Sequence, residues 1–174
     1  MVFGARTDTG DADGKIVKES QIAIAKNDIE RVLAKFRGEI EQVPPMYSAV
    51  KVGGQRLYKL ARRGEVVERQ PRKINIYQLK LNGELAETSA GPAIAFSVSC
   101  SKGTYVRQLV VDIGDDLGCG AYLASLRRTY AEPFHISQAL EMETIVTLAK
   151  IGKLATVLIS PSDLLRSGEV AVNG

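Results

Sequence analysis

The segment CSKGTYVRQL, residues 100–109, brings together side chains suited to binding an anion. Gly103 would let the backbone turn sharply from a strand into a helix, so that Lys102, Tyr105 and Arg107 gather near the helix N-terminus, where anions bind well. An arginine fork holds phosphate or carboxylate, and a tyrosine ring stacks on a nucleobase. Alternatively, Arg107 lies along an amphipathic helix by its aliphatic stem, and Tyr105 packs at the helix edge. The segment alone leaves both interpretations open.

Residues 51–73, KVGGQRLYKLARRGEVVERQPRK, form a second candidate surface, which is strongly basic. Eight Lys and Arg residues oppose only Glu65 and Glu68, so this stretch carries +6 and the rest of the chain −3, within a total of +3. Basic residues interleaved with aromatic ones, here Tyr47 and Tyr58, are typical of a surface that follows a phosphate backbone and offers rings to bases. The alternative is a solvated helix and turn whose cations only increase solubility.

The acidic loop with Asp8, Asp11 and Asp13 suggests a calcium site, but it does not fit the EF-hand pattern because position 9 is a threonine. The loop instead predicts a turn stabilised by Asx hydrogen bonds. His135, the single histidine of the sequence, is predicted to be structural, since no partner for acid–base catalysis is identifiable. Neither feature therefore predicts a catalytic or metal site.

The composition excludes several further classes of protein. Cys100 and Cys119, with one histidine, are too few for a closed zinc site, and they predict reduced thiols in a cytoplasmic protein. The phosphate-binding loop, dinucleotide-binding and serine-hydrolase motifs do not occur in the sequence. No apolar run reaches the roughly 20 residues of a membrane span, and the start of the sequence lacks a signal-peptide pattern. Neither membrane insertion nor export is predicted.

Hydrophobic periodicity predicts the elements that position the candidate residues. Asn27 with Glu30 fits a capping box at the start of a first helix, which ends near Gly38. The other predicted elements are a short helix ending at Gly64, a strand over 73–82 with a bulge near Tyr77, a loop over 83–92, a strand over 94–100, a helix from Gly103 to Gly118, a strand over 121–129 and a helix over 143–151. Together they predict an α+β fold with a mixed, largely antiparallel sheet flanked by helices.

Three blocks of the sequence resemble consecutive blocks of the TruB-type tRNA pseudouridine synthases, in the same order. They are RTDTGDADG (6–14), VPPMYSAVKVGGQRLYKLARRGEVVERQPR (43–72) and SKGTYVRQLVVDIGDDLGCGAYLASLRRT (101–129). The second block is intact after Pro45. In this respect it is more similar to the stand-alone bacterial branch of the family than to the branch that depends on a guide RNA. The resemblance implies an enzyme that flips out the T-loop uridine of tRNA, position 55 by tRNA convention, and isomerises it to pseudouridine without a metal or cofactor.

The resemblance also implies roles for individual residues. Arg107 matches the arginine that pairs with the family's catalytic aspartate, Tyr105 matches a tyrosine of the active-site pocket, and Leu126 matches an apolar residue packed there. The residues that match the segment gripping the T-arm of tRNA are Lys51, Arg56, Tyr58, Lys59, Arg62 and Arg63. Lys102 completes the expected RNA-binding set.

One part of the family pattern has no match in this sequence. By the resemblance, the nucleophilic aspartate precedes the strand that leads into RTDTGDADG, and none of the three loop aspartates occupies its position. Arg107 is therefore expected to lack a carboxylate partner, and the chain by itself is expected to be inactive. We expect residues 1–160 to form a partial catalytic domain with an RNA-gripping insertion over about 44–72. Residues 161–174 are expected to lead toward a C-terminal PUA-type domain.

Hypotheses from different functional classes remain. The first is a tRNA pseudouridine synthase of which this chain is a fragment, with tRNA and an N-terminal segment of the same protein as expected partners. The second is a non-catalytic RNA-binding module that keeps the grip on the T-arm. The third is an anion-binding metabolic enzyme that uses Lys102 and Arg107. Turnover and salt-dependent RNA binding distinguish these hypotheses.

Overall fold

The computed structural model of the protein describes residues 1–21 and 23–162. The chain forms two compact units, one spanning Met1–Ser125 and one that begins at Leu126. The strands of the first unit are β1 (Val2–Phe3), β2 (Ala5–Thr7), β3 (Ile16–Glu19), β4 (Gly38–Gln42), β5 (Lys51–Val52), β6 (Gln55–Arg56), β7 (Arg72–Thr88), β8 (Gly91–Cys100) and β9 (Ala121–Tyr122). Its helices are α1 (Lys26–Lys35), α2 (Leu57–Ala61) and α3 (Val106–Asp116).

Five of these strands form one sheet in the order β4-β7-β8-β1-β9, and every pairing within it is antiparallel. The hairpins β2–β3 and β5–β6 stand outside this sheet. A parallel contact occurs in the isolated bridge between Asp11 and Leu123. The arrangement confirms the predicted α+β class with a largely antiparallel sheet flanked by helices.

Strands β7 and β8 form a hairpin that is longer than the sequence predicted. The predicted bulge near Tyr77 is confirmed, because the register of the two strands shifts at that residue. The loop predicted over 83–92 is wrong, since β7 continues to Thr88 and β8 begins at Gly91. The Thr88 hydroxyl donates to the Gly91 carbonyl at 2.7 Å across this tight turn. The small and polar residues of this region indicated a loop, whereas cross-strand pairing satisfies their backbone groups in a strand.

The core forms where α1 and α3 pack together, with α1 also contacting β7 and α3 contacting β9. Ile29 and Leu33 of α1, Leu109 and Ile113 of α3 and Phe3 of β1 are buried in one cluster. Burying side chains of this size contributes about 1.5–3 kcal/mol each. The helical spacing of these residues was the basis for predicting both helices, and the structure confirms them.

The beginning of α1 differs from the prediction. Ala25 is the N-cap residue, and the Asp28 carboxylate accepts a hydrogen bond from the Ala25 N–H at 3.2 Å. Asn27 lies inside the first turn, so the capping box of Asn27 with Glu30 is wrong. Asp28 satisfies a free backbone donor and places negative charge at the positive end of the helix. A carboxylate one residue beyond Asn27 therefore performs the capping function.

The strand predicted over 121–129 is confirmed only for the two residues of β9. Beyond them, the Leu123 N–H donates to the Gly10 carbonyl at 3.0 Å, and the Ala12 N–H donates to the Leu123 carbonyl at 3.0 Å. The acidic loop therefore takes the backbone groups that another strand would use. The residues that follow Leu123 in the predicted strand are exposed.

The second unit, described by itself, contains β10 (Tyr130–Ala131), β11 (Phe134–His135) and α4 (Met142–Lys150). The helix α4 confirms the helix predicted over 143–151. The His135 Nδ1 accepts a hydrogen bond from the Ser137 N–H at 3.2 Å and so caps a short 3₁₀ helix, a structural role as predicted. The predicted exit segment lies outside the described residues from position 163 onward. Within the described chain, no helix has the length and apolar character needed to cross a membrane.

Gly114→Ala is expected to lower the free energy of unfolding by about 1–3 kcal/mol through overpacking. Gly114 lies where α3 meets β9, and a Cβ atom there would overlap the Ala121 backbone nitrogen and lie 2.5 Å from the Ala121 Cβ. Without this overlap, alanine would stabilise the helix by about 1 kcal/mol relative to glycine. A decrease in the free energy of unfolding therefore indicates the close contact with Ala121. Urea unfolding measures it, with the exposed α1 substitution Glu30→Ala as the control. An unfolding midpoint that stays the same or rises contradicts the close approach.

Asp112→Asn is expected to stabilise the protein near neutral pH. Burial raises the pKa of the Asp112 carboxyl, and a hydrogen bond from Gln108, with Nε2 to Oδ1 at 2.7 Å, opposes this shift. The pKa of Asp112 is higher in the folded state than in the unfolded state, so ionising this carboxyl destabilises the fold. This destabilisation is absent below the unfolded-state pKa and complete above the folded-state pKa. The asparagine keeps the acceptor for Gln108. The gain in urea midpoint should therefore be larger at about pH 7 than at about pH 4, and a pH-independent gain contradicts this explanation.

Candidate active site

Arg107 lies in the first turn of α3, and three acceptors hold its guanidinium. Nη1 donates to Asp11 Oδ2 at 2.7 Å and to the Thr9 carbonyl at 3.4 Å, while Nη2 donates to the Tyr47 carbonyl at 3.2 Å. The Arg107 and Asp11 side chains are only 28% and 25% exposed. Within the described chain, Nε donates no hydrogen bond, so the guanidinium keeps capacity for a further acceptor.

The Asp11 carboxylate is itself held in place by the loop that carries it. The Thr9 hydroxyl donates to Asp11 Oδ1 at 2.6 Å, and the Thr7 hydroxyl donates to the Asp11 carbonyl at 2.8 Å. The isolated bridge to Leu123 attaches the same residue to the chain beyond β9. One carboxylate oxygen therefore meets a hydroxyl and the other meets Arg107, which fixes the orientation of the ion pair.

Gly10 allows this loop to lie directly on α3. Its φ is +76°, and a Cβ atom there would come within 3.1 Å of Val111 Cγ2 and 3.2 Å of Arg107 Cγ. A larger residue would therefore meet backbone strain and would push against the arginine stem. The close approach brings Asp11 within reach of the guanidinium.

The expectation that Arg107 lacks a carboxylate partner is wrong. Asp11, 96 residues earlier in the chain, is its partner. The acidic loop was interpreted as a turn held by side-chain hydrogen bonds, and the bonds of Thr7 and Thr9 agree with that interpretation. The sequence contained a signal for the pairing, because the acidic loop and the Arg107 segment belong to blocks that resemble one family, but only the tertiary structure brings them together.

Tyr105 is the N-cap residue of α3, and the side-chain amide of Gln42 holds its peptide backbone. Gln42 Nε2 donates to the Tyr105 carbonyl at 3.2 Å, and the Tyr105 N–H donates to Gln42 Oε1 at 2.9 Å. Gly103, with φ +85°, makes the predicted turn between β8 and α3, and Lys102 is exposed in that turn. The sequence did not single out Gln42, because a glutamine at a strand end has no distinctive pattern.

Six of the predicted RNA-binding residues lie on the hairpin β5–β6, on the short helix α2 that follows it, or directly after α2, where Arg62 and Arg63 are found. Gly53 and Gly54, with φ of +56° and +81°, form the two-residue turn of this hairpin. Leu57 and Leu60 are buried and anchor α2. The five predicted cations of this region are exposed, and Tyr58 is partly buried. The two buried leucines therefore hold a short helix whose neighbouring cations are exposed, and the RNA-binding role of these cations stays a prediction.

Contacts within this basic surface are sparse. The Arg62 guanidinium lies 5.5 Å from the centroid of the Tyr58 ring, a cation–π arrangement. Arg63 makes a long 3.7 Å ion pair with Glu65, which is worth little at an exposed site. Among the described residues, Ser48 Oγ and Arg69 Nε are buried polar atoms without a hydrogen-bond partner. The exposed cations of the region, rather than these two buried atoms, therefore have donors available for a ligand.

Leu126 belongs to the second unit, where its side chain is 59% exposed. Its expected role in the pocket stays a prediction. Both cysteines are free thiols. In the described part of the chain, no group of three or more His, Cys, Asp or Glu residues is arranged to hold a metal ion.

A double-mutant cycle should give a coupling free energy of about 1–2 kcal/mol between Asp11 and Arg107, because the pair is shielded and charge-assisted. The cycle uses Asp11→Asn and Arg107→Met, with urea unfolding at low and high salt. The control pair is Arg6 and Asp115, whose side chains are 43% and 48% exposed. Its coupling should be below about 1 kcal/mol and should fall in high salt. Equal couplings and equal salt sensitivities for the two pairs would contradict the shielding of the Arg107 pair.

Two family models and several curated proteins match this sequence. Residues 1–106 match the model of the TruB family pseudouridylate synthase N-terminal domain, and residues 107–166 match that of the tRNA pseudouridylate synthase B C-terminal domain. The tRNA pseudouridine synthase B of Pseudomonas paraeruginosa is 52% identical over 83% of this chain and 46% of its own length. The corresponding protein of Pseudomonas fluorescens is 49% identical over 92% of this chain and 52% of its own length.

The chain thus spans about half the length of these curated relatives. A chain in the crystal structure of a Cbf5–Nop10–Gar1 complex has a similar fold, with a TM-score of 0.56 and 27% identity over 82% of this chain and 36% of that one. The first family match covers more than half of the sequence and includes the acidic loop, the basic segment and Tyr105, and the second begins at Arg107. The chain belongs to the TruB family of pseudouridylate synthases.

Proposed function

We propose that this chain is part of an enzyme that isomerises the T-loop uridine of tRNA to pseudouridine in the cytoplasm, where tRNA is found. The observation that carries the proposal is the position of Arg107. One side of its guanidinium meets Asp11, and the other meets the Tyr47 carbonyl at 3.2 Å, at the start of the basic region. The cation therefore lies between a carboxylate-bearing loop and a segment suited to RNA.

The proposed reaction moves the ribose from one atom of uracil to another. The bond between N1 and C1′ breaks, a bond between C5 and C1′ forms, the C5 proton leaves to solvent, and N1 gains a proton. A base in a folded RNA loop has to be extruded before such chemistry can reach it. In this proposal, Tyr105 offers a ring to the extruded base, and Arg107 holds an anionic group through Nε and Nη2.

The residues proposed to bind the T-arm are six exposed cations and one partly buried tyrosine. They are Lys51, Arg56, Tyr58, Lys59, Arg62, Arg63 and Lys102. Phosphate contacts from flexible cations supply affinity that depends on salt, and the Tyr58 ring supplies a stacking face.

The nucleophile is the part of the reaction that the 174 residues do not account for. By the family resemblance it is an aspartate in a block that this sequence does not contain, and Asp11 is already committed to Arg107 and Thr9. We therefore propose that the chain binds T-arm RNA by itself and turns over uridine only with an N-terminal segment that supplies the aspartate. Nε of Arg107 is available to receive that second carboxylate.

Lys59→Ala/Arg62→Ala/Arg63→Ala is expected to weaken binding of a T-arm stem-loop by about tenfold or more, measured by fluorescence anisotropy. It should also lower the slope of log affinity against log salt by about 2, since each phosphate contact contributes somewhat less than one unit. The control Lys26→Ala/Lys35→Ala/Lys80→Ala removes the same charge from α1 and β7. Equal losses for the two triple variants would show that net charge, rather than this surface, binds RNA.

Tritium release from a T-arm RNA labelled at uracil C5 tests the isomerase proposal. The extended chain carries, before Met1, the N-terminal segment of the Pseudomonas paraeruginosa enzyme that by the family resemblance supplies the nucleophilic aspartate. This extended chain should release tritium, whereas the 174-residue chain should not. Arg107→Ala in the extended chain should lower turnover by at least about a hundredfold, in the range for loss of a group that orients a catalytic residue. Its RNA affinity should stay within about threefold of the unsubstituted chain, because Arg107 is not part of the exposed grip.

Release by the 174-residue chain would overturn the proposed division of labour. RNA binding without release by the extended chain would favour a non-catalytic RNA-binding module that retains the T-arm grip.

A further inference from the structure

Gln42 is a buried polar residue that connects two parts of the proposed site. It is the last residue of the edge strand β4, and its side chain is 3% exposed. Both ends of its amide are used on the backbone of one residue: Nε2 donates to the Tyr105 carbonyl at 3.2 Å, and Oε1 accepts from the Tyr105 N–H at 2.9 Å. A side chain thus makes the pair of hydrogen bonds that a neighbouring strand residue would make.

The residue held by Gln42 marks the beginning of α3. Tyr105 is the N-cap residue, and its carbonyl also accepts the first helical hydrogen bond, from the Leu109 N–H at 3.0 Å. Arg107 follows two residues later. Because a helix moves as a unit with its first turn, the Gln42 amide sets where the guanidinium of Arg107 lies relative to β4.

The segment after Gln42 returns to the same helix. Residues 43–50 lead from β4 to the hairpin β5–β6, and the Tyr47 carbonyl accepts from Arg107 Nη2 at 3.2 Å. The segment is therefore attached to α3 at two points, at its start through Gln42 and five residues later through Arg107. Both Tyr105 and Arg107, at the helix start, are therefore bonded to the chain that leads into the basic segment.

We propose that Gln42 is a positioning residue of the active site, which couples the RNA-gripping segment to Arg107 by clamping the Tyr105 peptide. The proposal rests on the proposed function. An apolar residue of similar size would leave the Tyr105 N–H without a partner, and a shorter amide would not span both bonds. The clamp therefore depends on both the length and the amide group of glutamine.

Nuclear magnetic resonance of the 174-residue chain tests the clamp without RNA or turnover. In Gln42→Leu, hydrogen exchange of the Tyr105 amide should accelerate about tenfold, the factor expected for loss of one buried hydrogen bond. The Arg107 guanidinium resonances should shift, while the amides of β7 and β8 keep their protection. If Gln42 only added stability, Gln42→Leu would lower the urea midpoint and leave the native Arg107 resonances unchanged. That result would overturn the proposal. Gln78→Leu, on the exposed face of β7, is the matched control.

Gln42→Glu provides a second variant that keeps the size of the side chain. When ionised, it still accepts from the Tyr105 N–H but faces the Tyr105 carbonyl with a second acceptor, and when protonated it again donates there. The Arg107 resonances of this variant should therefore return toward the wild-type positions as pH falls. The charged residues of the neighbouring ladder pairs are Glu41, Arg72 and Lys73, and an identical titration of the wild-type chain accounts for them. Arg107 resonances that do not respond to pH in this variant would also overturn the clamp.

Titration of a T-arm stem-loop into the same samples separates this proposal from the proposed function. Failure of the wild-type chain to bind the RNA would count against the proposed function, whereas the exchange and resonance data judge the clamp independently. With binding intact, RNA should shift the Arg107 resonances in the wild-type chain and should shift them at least about twofold less in Gln42→Leu. Equal shifts in both chains would overturn the coupling.

Discussion

The Arg107 side chain is only 28% exposed, so its guanidinium needs acceptors on several sides, and this requirement joins distant segments of the first unit. Its carboxylate partner comes from the loop after β2, and its carbonyl partners come from Thr9 and Tyr47. Three segments that are far apart in the sequence meet at one cation. Each of them has to be held accurately, because a displaced partner would leave a charge partly buried without compensation.

The other elements of the first unit hold the partners of Arg107 in position. The antiparallel sheet and the packed helices α1 and α3 form a core whose largest side chains are fully buried. Gly10 allows the acidic loop to lie against α3, and Leu123 attaches the same loop beyond β9. Gln42 holds the start of α3 from the other side. Rigid elements thus position Arg107, whereas the basic residues near α2 extend from two buried leucines and make few contacts of their own.

Sequence reasoning succeeded where the physical signal is local. The periodic apolar residues of α1, α3 and α4 have to face one side of a helix, and the glycines at 64 and 103 have to adopt positive φ. It failed where a distant partner decides the outcome. The polar stretch after Leu81 becomes a strand because β8 pairs with it, and the strand after Tyr122 ends because the acidic loop occupies its hydrogen-bonding groups. The expected lack of a partner for Arg107 was wrong for the same reason.

The sequence by itself determined the helices, the basic character of residues 51–73 and the family, since each depends on residue types and short-range spacing. The tertiary structure alone decided which carboxylate pairs with Arg107 and which amide holds Tyr105. Asp11 and Arg107 are 96 residues apart, and Gln42 and Tyr105 are 63 residues apart. Such pairings arise from the packing of loops and strand ends on a common core. No local pattern in the chain specifies them, because the free energy that favours them comes from burial shared by all the elements involved.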